Sequence, residues 1–355
     1  MVPALAVAGA LRAESAEVTF IGGERAESEL VPAAGYPLRK ILVEGMSRTN
    51  PLLALRALAR AARAVGHARS LLKELAPDAV MGGGGYVAGP VGLAAVTLRI
   101  PLVLTEADSH LGLTNRLLAH AAQRVCLAFP LAGRDGPRYL VTGRPSPPAR
   151  EDRAGARTRL GLTEGETCLL VVGGSLGARS INMAALEAFS EQKATRDVSS
   201  DPALHVLHVA GRRDYLELAD RSLPDGYDLR EYLDGEEFGD ALAAADLVVA
   251  RAGGSVFEIA ASGTPAILVP YPHASADHQT ENARWMADAG AAIVIPDGEL
   301  SGLRMAEEVA SLLADRARLT EMAAASRRLA RPEAAREVAR ELLQAARAPR
   351  AVSSR

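Results

Sequence analysis

Short β-branched runs alternate with longer alanine- and leucine-rich stretches along this chain, and they do so in two successive series. The first predicts strands near 17–21, 39–43, 79–81, 102–105, 125–129 and 139–142; the second near 168–172, 205–209, 229–233, 247–250, 266–270 and 293–295. Apolar strands separated by helix-length segments are the pattern of parallel sheets built from βαβ units, because parallel neighbours need a long crossover. Between the series lies Gly143-Arg144-Pro145-Ser146-Pro147-Pro148, followed by the charged residues 150–153, a composition typical of interdomain connections. The expected organisation is therefore two Rossmann-like α/β domains over 1–145 and 156–330, a linker over 146–155, and a C-terminal helix and tail over 331–355. A chain of 355 residues has room for two such cores.

Bulk properties narrow the function. A formal charge of -3 provides no chain-wide basic field of the kind that attracts nucleic acid. The longest mostly apolar stretch, 91–104, contains Arg99 and falls short of the ~20 residues that a spanning helix needs. Cys126 and Cys168 sit in separate apolar runs, which favours two buried thiols over a disulfide or a metal site and fits a reducing compartment. The start, Met1-Val2-Pro3-Ala4-Leu5-Ala6, has the form of a helix with proline in its first turn and no strand before it, so an initial strand is expected to be missing.

Three glycine-rich segments follow predicted strands, where backbone amides and a helix start can meet an anion. The first is Val172-Gly173-Gly174-Ser175-Leu176-Gly177, whose spacing differs from the G-x-G-x-x-G of dinucleotide-binding dehydrogenases. In the second, Arg251-Ala252-Gly253-Gly254-Ser255-Val256-Phe257-Glu258, residues 253–255 would turn their N–H groups toward a diphosphate and Glu258 could accept from ribose hydroxyls. Glu258 could equally be a surface carboxylate favoured by the helix dipole. The third, Met81-Gly82-Gly83-Gly84-Gly85-Tyr86, belongs to the other half and carries more glycine than a simple turn requires. Two anion-binding loops facing one another across an interdomain cleft would suit a donor and an acceptor.

The order of these motifs, together with Gly112-Leu113-Thr114-Asn115-Arg116 and Asp277-His278-Gln279-Thr280-Glu281-Asn282-Ala283, resembles the UDP-N-acetylglucosamine to undecaprenyl-pyrophosphoryl-N-acetylmuramyl-pentapeptide transferases of peptidoglycan synthesis, a GT-B family of two Rossmann domains. The likeness runs from Pro3 to about Ala292. It implies that Ser175 and the helix start Gly253, Gly254, Ser255 and Val256 hold the donor diphosphate, that Glu258 binds ribose, that the Leu233 backbone reads uracil, and that His278 and Gln279 contact the sugar. It places the lipid-linked acceptor at Gly83, Gly84, Gly85 and Tyr86. Asp277 could also be no more than an N-cap of a polar helix start.

The chain departs from the family pattern in several places. The family's first glycine loop ends in a His proposed as catalytic base; it would lie upstream of Met1, leaving His110 and Asp108 as weaker candidates. Glu106-Ala107-Asp108 stands where the family has Glu-Gln-Asn, so Asp108 would replace a sugar-contacting amide, and Arg144 or Arg150 would stand in for a phosphate-binding Arg. No Asp-x-Asp metal motif accompanies these segments, so neither a metal nor another cofactor is expected. The stretch 51–75 has leucines at 52, 53, 55, 58, 71 and 72 and cations at 56, 60, 63, 69 and 73, which fits either a helix on anionic lipid or an ordinary Rossmann helix with a solvated face. The lipid-linked acceptor favours the first, and with it a peripheral location on the cytoplasmic face of the membrane. Two other readings remain open: a UDP-N-acetylglucosamine 2-epimerase, and a non-catalytic UDP-sugar-binding membrane protein.

Overall fold

The computed structural model describes residues 1–41, 51–163, 165–174, 176–190, 204–274 and 277–348, with 51–61 described by backbone alone. The chain divides into two compact units, Met1–Ser146 with Arg331–Arg355, and Pro147–Ala330.

The first unit runs α1 (Val2–Ala13), β1 (Phe20–Gly22), α2 (Glu27–Ala33), β2 (Leu38–Lys40), α3 (Pro51–Leu75), β3 (Val80–Gly82), α4 (Gly85–Thr97), β4 (Leu102–Glu106), α5 (Leu113–Leu118), β5 (Arg124–Leu127) and β6 (Tyr139–Val141). Strands β3 to β6 form a parallel sheet in chain order, and β1 and β2 form a separate parallel pair. Buried Leu102, Leu104, Val125 and Leu127 pack on Ala94 and Ala95 of α4 and on Ala68 and Leu72 of α3. Small residues at those helix positions let the helix backbones approach the sheet closely. In the described part of α3, Ala64, Ala68 and Leu72 are buried while Arg63 and Lys73 are exposed, a stripe at helical spacing. The side chains at 52, 53, 55, 56, 58 and 60 lie outside the described residues.

The second unit runs α6 (Arg153–Arg159), β7 (Thr167–Val172), α7 (Arg179–Phe189), β8 (Leu204–Val209), α8 (Tyr215–Ala219), β9 (Tyr227–Arg230), α9 (Gly235–Ala244), β10 (Leu247–Ala250), α10 (Val256–Ser262), β11 (Ala266–Leu268), α11 (His278–Asp288), β12 (Ala292–Val294), α12 (Gly302–Ala314) and α13 (Arg316–Leu329). Its six strands are all parallel, in the order β12-β11-β10-β7-β8-β9. Every residue of β7 and β10 is buried, as expected of central strands covered on both faces. The sheet grows outward in two directions from the adjacent pair β7 and β10, which makes the gap beyond their carboxyl ends a topological switch point. The strand expected over 229–233 ends earlier, at Arg230, so Leu233 lies in the connection to α9 rather than in the sheet.

Helix α14 (Ala334–Arg347) leaves the second unit and completes the first. Val338, Leu342 and Ala345 fall on one face and pack with Val7 of α1, Val103 of β4 and Cys126 of β5. Arg124 Nε donates to Glu341 Oε2 at 2.7 Å beside this contact. Both thiols are buried, and burial pushes the pKa of each up to about 12. Leu342→Ala is expected to cost about 2 to 4 kcal/mol, read as faster amide exchange across β4 and α1. Unchanged protection there would remove α14 from the first unit's core.

Candidate functional site

The register of the central pair sets Ala250 of β10 beside Val172 of β7, so the two glycine turns leave the sheet at the same level. In the first turn the N–H of Gly177 closes onto the Gly174 carbonyl at 2.9 Å, with φ of +90° at Gly174 and +85° at Gly177, backbone that glycine adopts without strain. A Cβ on Gly177 would lie 2.2 Å from the Ala210 carbonyl oxygen, so this turn sits backbone to backbone on the end of β8. Ser175 lies outside the described residues.

In the second turn the amides of Val256 and Phe257 bond back to the carbonyls of Gly253 and Gly254, at 3.2 and 3.3 Å. The N–H groups of residues 253–255 precede these first helical bonds, and Ser255 occupies the N-cap without a side-chain cap. Among the described residues, a Cβ on Gly253 would meet Gln279 Nε2 alone within 4 Å, at 3.9 Å, so that glycine faces open space. Gln279 Oε1 accepts from the Tyr271 amide at 3.0 Å, which orients its NH2 group toward the glycines. Val256 is buried, and Glu258 is half-buried in the first turn of α10.

Helix α11 is anchored under the same turn. Asn282 is 1% exposed and donates from Nδ2 to the Ala252 carbonyl at 2.9 Å. Asp277 occupies the N-cap position of α11 with φ +54°; its carboxylate accepts from Thr280 Oγ1 at 2.6 Å and caps no backbone N–H. His278 follows as the first helical residue and is half-buried. Arg251 is used structurally: its guanidinium donates to the carbonyls of Val269 and Pro270 and to Ser180 Oγ, and pairs with Asp297. It locks the ends of β10 and β11 to the start of α7.

In the first unit, a Cβ on Gly82 would lie 2.8 Å from Leu104 Cδ2, so the glycine there lets β3 approach β4. Gly84 and Gly85, with φ of +77° and +80°, start α4. Tyr86 donates to Glu27 Oε1 at 3.3 Å, and the same oxygen accepts from the Gly23 amide at 2.8 Å. Buried Glu106 organises the loop carrying Asp108 and His110: Oε1 accepts from the amides of Ala107 and Asp108, and Oε2 from the Gly112 amide and Asn115 Nδ2. A Cβ on Gly84 would lie 3.5 Å from that Asn115 Nδ2, so the glycine loop and the Asp108 loop are neighbours. Of the two arginines considered for phosphate, Arg150 pairs with Glu236 at 3.2 Å in the second unit, and Arg144 is a first-unit residue whose charge acts on the Met1 amino group.

Residues 1–127 match the glycosyltransferase family 28 N-terminal domain and residues 168–338 the glycosyltransferase family 28 C-terminal domain. The chain is 42% identical, over 96% of its length and 95% of the relative, to a UDP-N-acetylglucosamine--N-acetylmuramyl-(pentapeptide) pyrophosphoryl-undecaprenol N-acetylglucosamine transferase of Moorella thermoacetica. It belongs to that transferase family. A Pseudomonas entomophila member is 39% identical over 94% of this chain and 90% of its own. Among solved family structures, Acinetobacter baumannii MurG superposes with a TM-score of 0.71 at 31% identity, covering 96% of this chain and 95% of its own. The UDP-GlcNAc 2-epimerase of Neisseria meningitidis, solved with UDP-GlcNAc bound, has a TM-score of 0.66 at 13% identity over 97% of this chain and 96% of its own, a likeness of fold alone.

Family motifs did not disclose a buried polar chain behind the first turn. His208, fully buried in β8, has Nδ1 2.7 Å from Tyr227 Oη and Nε2 3.1 Å from Asn182 Oδ1. Asn182 Nδ2 donates to the Ala210 carbonyl and to Asp214 Oδ2, both at 2.9 Å. A histidine inside an apolar strand was the one signal that could have pointed there, and its partners are 19 and 26 residues away. Burial lowers the His208 pKa from 6.5 to about 4. Between those values the unfolded chain binds a proton that the folded chain does not, so stability should fall as pH drops from 6.5 toward 4, by at most about 3 kcal/mol. Urea unfolding at stepped pH checks this; a slope in that window unchanged by His208→Gln would exclude His208 as its source.

Proposed function

We propose that this chain transfers N-acetylglucosamine from UDP-N-acetylglucosamine to an undecaprenyl-pyrophosphoryl-N-acetylmuramyl-pentapeptide acceptor, with inversion at the sugar C1. The observation that carries the reading is the meeting of two glycine turns at the switch point of the second unit, in a chain 42% identical to an enzyme of that name. Parallel α/β sheets bind ligands at this position, beyond the carboxyl ends of the strands.

In this reading the amides of Gly253, Gly254 and Ser255, with the α10 start at Val256 and with Ser175 of the first turn, hold the diphosphate. As the bond from C1 breaks, negative charge grows on the departing UDP, and fixed peptide dipoles meet it without reorganisation. No cation is required for that step. Glu258 accepts from the ribose hydroxyls, the Leu233 backbone reads the uracil edge, and the Gln279 NH2 group with His278 meets the sugar. Gly83, Gly84, Gly85 and Tyr86 receive the acceptor, and the resemblance assigns Asp108 and Arg144 to the donor. His110 and Asp108 are the candidates here for removing the acceptor's proton.

A peripheral place on the cytoplasmic face of the membrane is supported by the lipid-linked acceptor in the relatives' name and by exposed Arg63 and Lys73 on α3. No helix among the described residues is long and apolar enough to cross a membrane.

The test is release of UDP from UDP-N-acetylglucosamine with and without the lipid acceptor. Acceptor-dependent release with a disaccharide product supports the transferase. Release or epimerisation without acceptor would establish the epimerase reading, and UDP-sugar binding without any turnover the binding-protein reading. Glu258→Ala should weaken UDP binding by about 1.5 to 3 kcal/mol through lost charge-assisted hydrogen bonds; unchanged affinity by calorimetry would take Glu258 out of the site.

A further inference from the structure

We infer that Asn182, oriented by His208 and Tyr227, is a positioning residue that seats Gly177, the end of the first glycine turn, for the nucleotide-sugar diphosphate. This rests on the donor-site reading above. The turn has almost no freedom of its own seat. A Cβ on Gly211 would lie 2.1 Å from the Gly177 nitrogen, and one on Gly177 would lie 2.2 Å from the Ala210 oxygen and 3.4 Å from Asp214 Oδ2. Wherever the segment 210–214 goes, the turn follows.

One side chain holds that segment from behind. Asn182 stands in the first turns of α7, its N–H bonded to the Ala178 carbonyl directly after the glycine turn. Its Nδ2 reaches the same Ala210 oxygen and the same Asp214 Oδ2 that crowd Gly177. Asp214 is itself held by Arg213 through Nε at 2.7 Å and Nη2 at 3.0 Å.

The proton positions in this chain follow from its ends. A carbonyl and a carboxylate accept only, so the Asn182 atom facing them must be the NH2 group. Its Oδ1 then faces His208 and can only accept, which puts the imidazole proton on Nε2. The bare Nδ1 accepts from the Tyr227 hydroxyl. Each donor has one acceptor and the sequence of bonds runs in one direction, so no second arrangement satisfies all the groups. Asn182 is 1% exposed and His208 0%, an interior where a satisfied network has a single geometry and a broken one is costly. Phosphate recognition through backbone amides has no side-chain torsions with which to correct a displaced turn, and misplacement by about 1 Å can cost on the order of 100-fold.

His208→Leu and His208→Gln separate this role from packing alone, since both remove the ring but only glutamine retains a donor toward Asn182 Oδ1. For His208→Leu the KM for UDP-N-acetylglucosamine and the Kd for UDP should rise about tenfold with the acceptor KM unchanged, and His208→Gln should restore most of the loss. An equal drop in Tm for both with no change in donor KM would overturn the inference. If His208→Leu does not fold, Tyr227→Phe, which deletes one hydroxyl and keeps the packing, must raise the UDP Kd, and a wild-type value there overturns it equally. Glu258→Ala run in parallel isolates the underlying reading. Loss of UDP binding in Glu258→Ala with none in the His208 and Tyr227 variants sinks the positioning role alone, whereas a wild-type chain that binds no UDP sinks the donor site itself.

Discussion

The side-by-side pairing of β7 and β10 is the contact on which the second unit's architecture depends. These strands are far apart in sequence, yet they pair with Ala250 opposite Val172, and from them the chain steps toward opposite edges of the sheet. Two consecutive parallel strands with crossovers in the same direction would place one helix over the end of the other's turn. Divergence leaves the ends open, so two sets of peptide N–H groups share one small region. Arg251 and Asn282 then hold the second turn, and Ala210 and Gly211 the first.

The polar groups that do this holding are buried and bonded to backbone carbonyls rather than exposed to a ligand. Asn282 to Ala252, Asn182 to Ala210 and Asn115 to Thr105 are three instances of one device: a side-chain amide on a neighbouring helix clasping a carbonyl near a strand end. A carbonyl that leaves a sheet loses its ladder partner, and within the interior it must find another. A side-chain amide on a neighbouring helix supplies the donor and ties that helix to the strand end. Each clasp lies next to a glycine loop, so these loops are carried on backbone held by buried side-chain hydrogen bonds.

Much of the fold was legible in the chain itself. Every predicted strand run overlaps an observed strand, and in the central strands β7 and β10 the reason is burial on both faces, which demands uninterrupted apolar runs. Leu233 departed from expectation because the strand's apolar character continues past Arg230, where pairing with β8 stops. The tail was read as a separate helix, while its apolar face of Val338, Leu342 and Ala345 completes the first unit's core. Amphipathicity announces that a helix has a partner and says nothing of which one.

The glycine turns and the acidic and amide residues beside them were visible as motifs, since positive φ and close backbone approach exclude Cβ atoms and this restriction is written locally in residue type. What the amino-acid order determined alone is thus the α/β class, the approximate positions of the strands, and the turns able to take positive φ. The tertiary structure decided which turns meet, that Arg251 and Arg150 are committed to protein partners, and that His208, Asn182 and Asp214 form one chain of hydrogen bonds. The physical reason is separation: strand and turn propensities act over neighbouring residues, whereas a hydrogen bond between residues 182, 208 and 227 exists only after the sheet has brought β8, β9 and α7 within 3 Å of each other's polar atoms.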